Sequence, residues 1–172
     1  LEGIEISLIF AVSIHNLKFK TMGTRSLTHF IERHTEQPKD KRYKPIVIDT
    51  EVVVMYRQYD GYPSGHGTEL AEFLSKGRLV NGISAVEPEL VFNGMGCLSA
   101  QVVAHFKHGA GGIYLHKAGT KDCWQEYDYY VIGNDETKEL ILKCVNSRGK
   151  VIFQGTPKEF VEQLEEIEKV NN

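Results

Sequence analysis

The stretch Tyr56–Glu69, "YRQYDGYPSGHGTE", gathers the residue types most able to do chemistry in this chain. Arg57 offers a bidentate contact to a carboxylate or phosphate. His66, set between Gly65 and Gly67, could donate to the same group, and the two glycines would let a ligand approach the backbone closely. A helix opens directly after the stretch, and the backbone N–H groups of a helix start attract anions. Asp60 and His66 could also form an acid–base pair, because a general base needs an orienting partner. The same letters support a plainer reading. Asp60-Gly61 and Tyr62-Pro63 are turn dipeptides, Ser64 or Thr68 can cap the helix, and Tyr59 and Tyr62 can pack on a sheet edge. The stretch lacks the P-loop lysine pattern and the GxGxxG spacing. A structural turn, an anion site and a catalytic centre all stay open at this point.

The elements that must hold these residues follow from hydrophobic pattern. "IVIDTEVVVMYRQY" is the strongest strand signal, and Val52–Tyr56 within it reads as a central, buried strand. Thr24–Glu32 predicts another strand, and the polar segment "RHTEQPKDKRYKP" between them predicts an exposed hairpin loop. That hairpin returns Arg25 beside Arg57. Two arginines at one sheet end need an anion or an acidic partner, and Asp60 and Glu69 are the acidic candidates. The candidate ligand-binding set is therefore Arg25, Arg57, Tyr59, Asp60 and His66.

Downstream, "TELAEFLSKG" predicts a helix stopped by Gly77, "RLVNGISAVEPELVFNGMG" is glycine-rich and irregular, and "CLSAQVVAHFKHG" predicts a second helix. Val54 and Phe106 are expected in the core. "IYLHK", "QEYDYYVIG", "ELILKCVN" and "KVIFQG" predict strands, the last three as an antiparallel meander. Thr156-Pro157-Lys158-Glu159 is a capping box opening a final helix. The predicted order is β-β-α-α-β-β-β-β-α. It implies a single α+β domain over residues 22–172, with an antiparallel or mixed sheet and about three helices mainly on one face.

Composition narrows the function classes. A chain of 172 residues with 41% hydrophobic and 25% charged residues is expected to fold as one unit burying roughly 70% of its unfolded surface. A net charge of -3 provides no global basic field, so broad duplex nucleic-acid binding is not expected. Three scattered cysteines without CxxC suit a reducing compartment and exclude a zinc ribbon. His105 and His108 have metal-ligand spacing without an obvious third ligand, so no metal is expected. Residues 4–19 are apolar but interrupted by Glu5, His15 and Asn16, too short for a confident membrane span. Residues 1–21 are expected to be either an upstream extension or an extra strand, since "MGTRSLTHFIE" reads like a protein start at Met22.

The runs "MGTRSLT" (22–28), "MYRQYDGYPSGHGTELAEFL" (55–74), "AQVVAHFKHGAGGIYLH" (100–116) and "GTPKEFVEQL" (155–164) together resemble a group of uncharacterised proteins of bacteriophages, giant DNA viruses and some bacteria. The resemblance implies a virus- or phage-type accessory protein, cytoplasmic (in the host, if viral), and a start at Met22. It carries no activity or cofactor with it. Three functions are consistent with all of this. One is a non-enzymatic domain binding a small anionic or nucleotide-like ligand or a host protein. The second is a small hydrolase or phosphotransfer enzyme using Asp60, His66 and Arg57. The third is a pure protein-interaction domain.

Overall fold

The structure, a computed structural model, describes residues 23–40, 42–82 and 90–171. The expectations for residues 1–21 and for a start at Met22 lie outside the described residues. Strands β1 (Ser26–Glu36) and β2 (Ile46–Arg57) form the long hairpin that the two apolar runs predict. The strand pairing extends four residues further along β1 than the pattern suggested, because Arg33 is held opposite Asp49 by two 2.7 Å hydrogen bonds. A π-helical turn over Pro63–Gly67 runs directly into α1 (Thr68–Ser75). Then come β3 (Gly77–Val80), β4 (Leu90–Asn93), α2 (Gly94–Phe106), β5 (Ile113–His116), β6 (Tyr127–Asn134), β7 (Leu140–Asn146) and β8 (Val151–Gly155). Two short helices, α3 (Pro157–Glu162) and α4 (Leu164–Asn171), end the described chain.

Among the described residues, six strands make one mixed sheet in the order β5-β2-β1-β6-β7-β8. All neighbours are antiparallel except β1 and β6, which run parallel. The meander β6-β7-β8 forms as expected. Two elements were not foreseen: β3 and β4 pair in parallel as a separate two-stranded sheet within the stretch read as irregular. Four-residue strands carry too little alternation to register as a pattern. Gly77 accordingly opens β3 and packs under the Phe92 ring; it is not the stop of α1.

One face of the large sheet carries the core. Phe30, Met55, Ile113, Tyr129, Val131 and Leu142 meet Leu70 and Leu74 of α1, Met95, Leu98 and Val102 of α2, Phe160 of α3 and Ile167 of α4. The fold is thus a single α+β domain with its helices on one face. The Thr156 capping box is complete: the Thr156 side chain accepts from the Glu159 N–H, and the Glu159 carboxylate accepts from the Thr156 N–H at 2.7 Å.

The opposite face is crossed by the β5–β6 connection, residues 117–126. It lies over β2 and β1 because β5 and β6 flank that pair. Glu51 accepts from the Gly119 N–H, and Asp128 accepts from the Gln125 amide at 2.9 Å. Between these carboxylates sits buried His29, its Nδ1 2.6 Å from Glu51 and its Nε2 3.4 Å from Asp128, stacked on Tyr130. Val54, in this layer, is fully buried. Among the described residues no helix is long and apolar enough to cross a membrane.

Candidate functional site

The end of β2 delivers Arg57 to the helix-covered face, where the π-helical turn, α1 and the end of α2 converge. A cleft of about 570 Å³ opens there, lined by Arg57, Tyr59, Asp60, Glu69, His105, Phe106, His108, Gly112 and Ile113. Its far wall depends on the turn after α2, where Gly112 takes φ 71° and its carbonyl accepts from the Gln58 N–H at 2.9 Å. That bond and the pairing of Arg57 with Ile113 fix the two walls against each other.

Arg57 is held on four sides. Its Nε donates to the Tyr59 carbonyl at 2.9 Å, and Nη1 donates to His66 Nδ1 at 3.0 Å and to Glu69 Oε2 at 2.7 Å. The guanidinium carbon lies 5.2 Å from the Phe106 ring centroid. Only 15% of the Arg57 side chain is exposed, against 52% for Glu69. The two Nη2 hydrogens have no acceptor among the described residues.

His66 does something other than the sequence suggested. It is fully buried, edge-on to Phe106 and Tyr129, and cannot reach a ligand in the cleft. An arginine can only donate, so His66 Nδ1 carries a lone pair and its Nε2–H donates to Thr28 Oγ1 at 2.9 Å. Burial first, and the Arg57 charge second, push its pKa well below the usual imidazole value. His66 is a neutral imidazole that orients Arg57. Both ring nitrogens are engaged, which removes it as the base of an Asp60–His66 hydrolytic pair.

The glycines also differ from expectation. A Cβ on Gly65 would meet the Asp60 carbonyl at 2.6 Å, and one on Gly67 would meet Phe160 at 2.8 Å. Protein occupies the space that a ligand was expected to use. The turn's N–H groups are likewise consumed internally: His66 N–H donates to Asp60 at 2.8 Å, and Gly65 N–H to Tyr62 at 3.0 Å. Neither Ser64 nor Thr68 caps the helix; Thr68 Oγ1 donates to the Pro63 carbonyl instead. The backbone of the turn is structural, and the exposed chemistry belongs to side chains.

Of the five residues singled out in the sequence, Arg57, Tyr59 and Asp60 line the cleft and His66 stands behind Arg57. Arg25 reaches the same end of the sheet but does not line the cleft. Ser26, not Arg25, is opposite Arg57, and side chains alternate along a strand. Asp60 takes φ 56°, which turns the chain back from β2. Glu69, one of the two acidic candidates for the arginines, does pair with Arg57, whereas the cleft roles of His105, Phe106 and His108 were missed. Phe106, expected in the core, is half-buried and shared between core and cleft. Among the described residues no group of three His, Cys, Asp or Glu side chains could hold a metal ion. Comparison with protein-family models, curated proteins and solved structures found no match.

Proposed function

We propose that this protein is a binding domain whose cleft receives the anionic group of a small ligand on Arg57. The observation that carries the reading is the guanidinium itself. It is pinned by His66, Tyr59, Glu69 and Phe106, yet among the described residues its Nη2 donors have no acceptor at the wall of an open cleft. A donor held before the ligand arrives loses little conformational freedom on binding. His105 and His108 add imidazoles on the facing wall, and Tyr59 adds a half-exposed phenol. The engagement of both His66 nitrogens favours binding over hydrolysis by Asp60, His66 and Arg57. The virus- or phage-type context is part of this proposal and rests on the motif resemblance.

The test is titration of acetate and inorganic phosphate, followed by backbone amide NMR. Shift changes should cluster at Arg57, Glu69, Phe106 and Gly112, and vanish in Arg57→Ala. That variant should still fold. Glu69 stays half-solvated without its partner, so the main cost is the lost donor to His66 Nδ1, about 1–3 kcal/mol. Shifts that are absent, or that persist in Arg57→Ala, refute the reading.

A further inference from the structure

We infer that the ligand of this cleft is a zwitterion: a small molecule carrying an anionic group for Arg57 and, one or two bonds away, an ammonium group for Glu69. The inference rests on the proposed binding of an anionic group by Arg57 and deepens it.

The charges of the cleft lead to this class. Among the described residues its lining holds one guanidinium, two carboxyl groups (Asp60 and Glu69) and two imidazoles. Glu69 Oε2 already sits 2.7 Å from Arg57 Nη1. A plain anion arriving at Nη2 therefore shares one guanidinium with a carboxylate a few ångströms away. Like charges at that distance repel, most strongly where protein excludes water, and Arg57 is largely screened from solvent. An anion that displaced Glu69 would instead compete with a carboxylate tethered at high effective concentration. A zwitterion escapes both penalties. Its anion takes the two Nη2 donors while its ammonium lies against Glu69, turning the repulsion into a second attraction.

The geometry suits this exchange. Arg57 is fixed by three hydrogen bonds and an aromatic face, so it does not follow the ligand. Glu69 lies in the first turn of α1 with half its side chain exposed, so it can adjust. Phe106 and Ile113 supply an apolar floor beside the charged pair. An ammonium and a carboxylate on one carbon, bearing an apolar side chain, fit these three requirements together.

Three probes sharing one ring test the inference by calorimetric titration: phenylalanine, 3-phenylpropionate and 2-phenylethylamine, each against wild type and Glu69→Gln at constant ionic strength. In wild type, phenylalanine should bind at least about tenfold tighter than either single-charge analogue. Glu69→Gln should move the two acids in opposite directions, weakening phenylalanine and tightening 3-phenylpropionate, each about three- to tenfold. Equal wild-type affinities for the two acids, or changes of the same sign in Glu69→Gln, overturn the zwitterion and leave the anion reading standing. Binding by none of the three overturns it too, and the phosphate titration of the same sample then shows whether the anion reading falls with it.

Discussion

Replacing His29 with Gln should remove the loss of stability that sets in as pH rises through 6.5 toward the higher folded value of this histidine. His29 is buried between two carboxylates that also hold the crossing segment 117–126, through Gly119 and Gln125. Burial by itself lowers its pKa. The hydrogen bonds to Asp128 and Glu51, with their charges, outweigh burial, and the pKa ends above the ordinary 6.5. A group whose pKa is raised on folding stabilises most when both states are protonated. Its contribution is therefore complete below the unfolded value of 6.5 and drains away as pH rises through the higher folded value. The short bond to Glu51 is a charged hydrogen bond worth about 1.5–3 kcal/mol, and the longer Asp128 contact adds less. Loss of His29 should thus cost about 2–3 kcal/mol at slightly acid pH and markedly less in mild alkali. Between the two pKa values the difference should fall by at most about 1.4 kcal/mol per pH unit. Two neighbouring acids act only at higher pH, since the ordinary values from which they are raised are 10.0 for Tyr130 and 9.0 for Cys123. The Tyr130 phenol and the nearby Cys123 thiol are both pushed upward by burial and by neighbouring carboxylates. Urea unfolding followed by circular dichroism, stepped from mildly acid to mildly alkaline pH, measures the effect. Trp124, the single tryptophan of the chain, lies on the crossing segment and reports its loosening locally. Parallel stability curves for wild type and His29→Gln would refute the reasoning.

The remaining predictions are independent of the ligand. Gly67→Ala should destabilise by about 1–3 kcal/mol, because its Cβ would press on Phe160 and Tyr129, two fully buried rings; urea denaturation measures it, and a neutral result would mean the rings can yield. Thr156→Ala should cost about 1 kcal/mol by opening the capping box at α3, visible as a lower thermal midpoint.

Much of the fold was legible because its strands and helices obey simple periods. The β1–β2 hairpin, the β6-β7-β8 meander and the α3 cap were each announced by several residues agreeing. The parallel pairing of β1 with β6 was not, since nothing local in either strand encodes a partner about a hundred residues away. The crossing segment escaped for the same reason: "KAGTKDCWQE" has no period, and its place follows only from the strand order. The cleft was half visible. Arg57, Tyr59 and Asp60 are adjacent in sequence, whereas His105, Phe106 and His108 reach them only through the β2–β5 pairing.

His66 and its flanking glycines show why residue type alone could not settle the role of the turn. A histidine between glycines reads equally as an exposed donor on an open backbone or as a side chain drawn inward where the backbone must pass tightly. The deciding contacts are distant: Thr28 is 38 residues away, and Tyr129 and Phe160 close on Gly67 from β6 and α3. Those contacts make the imidazole neutral, and only a neutral imidazole can accept from a guanidinium. A protonated His66 would have no lone pair for Arg57 and would place two cations 3.0 Å apart. The buried turn and the exposed cleft are therefore one construction. The glycines let the turn sink, the sunken turn desolvates His66, and the desolvated His66 aims Arg57 at the cleft.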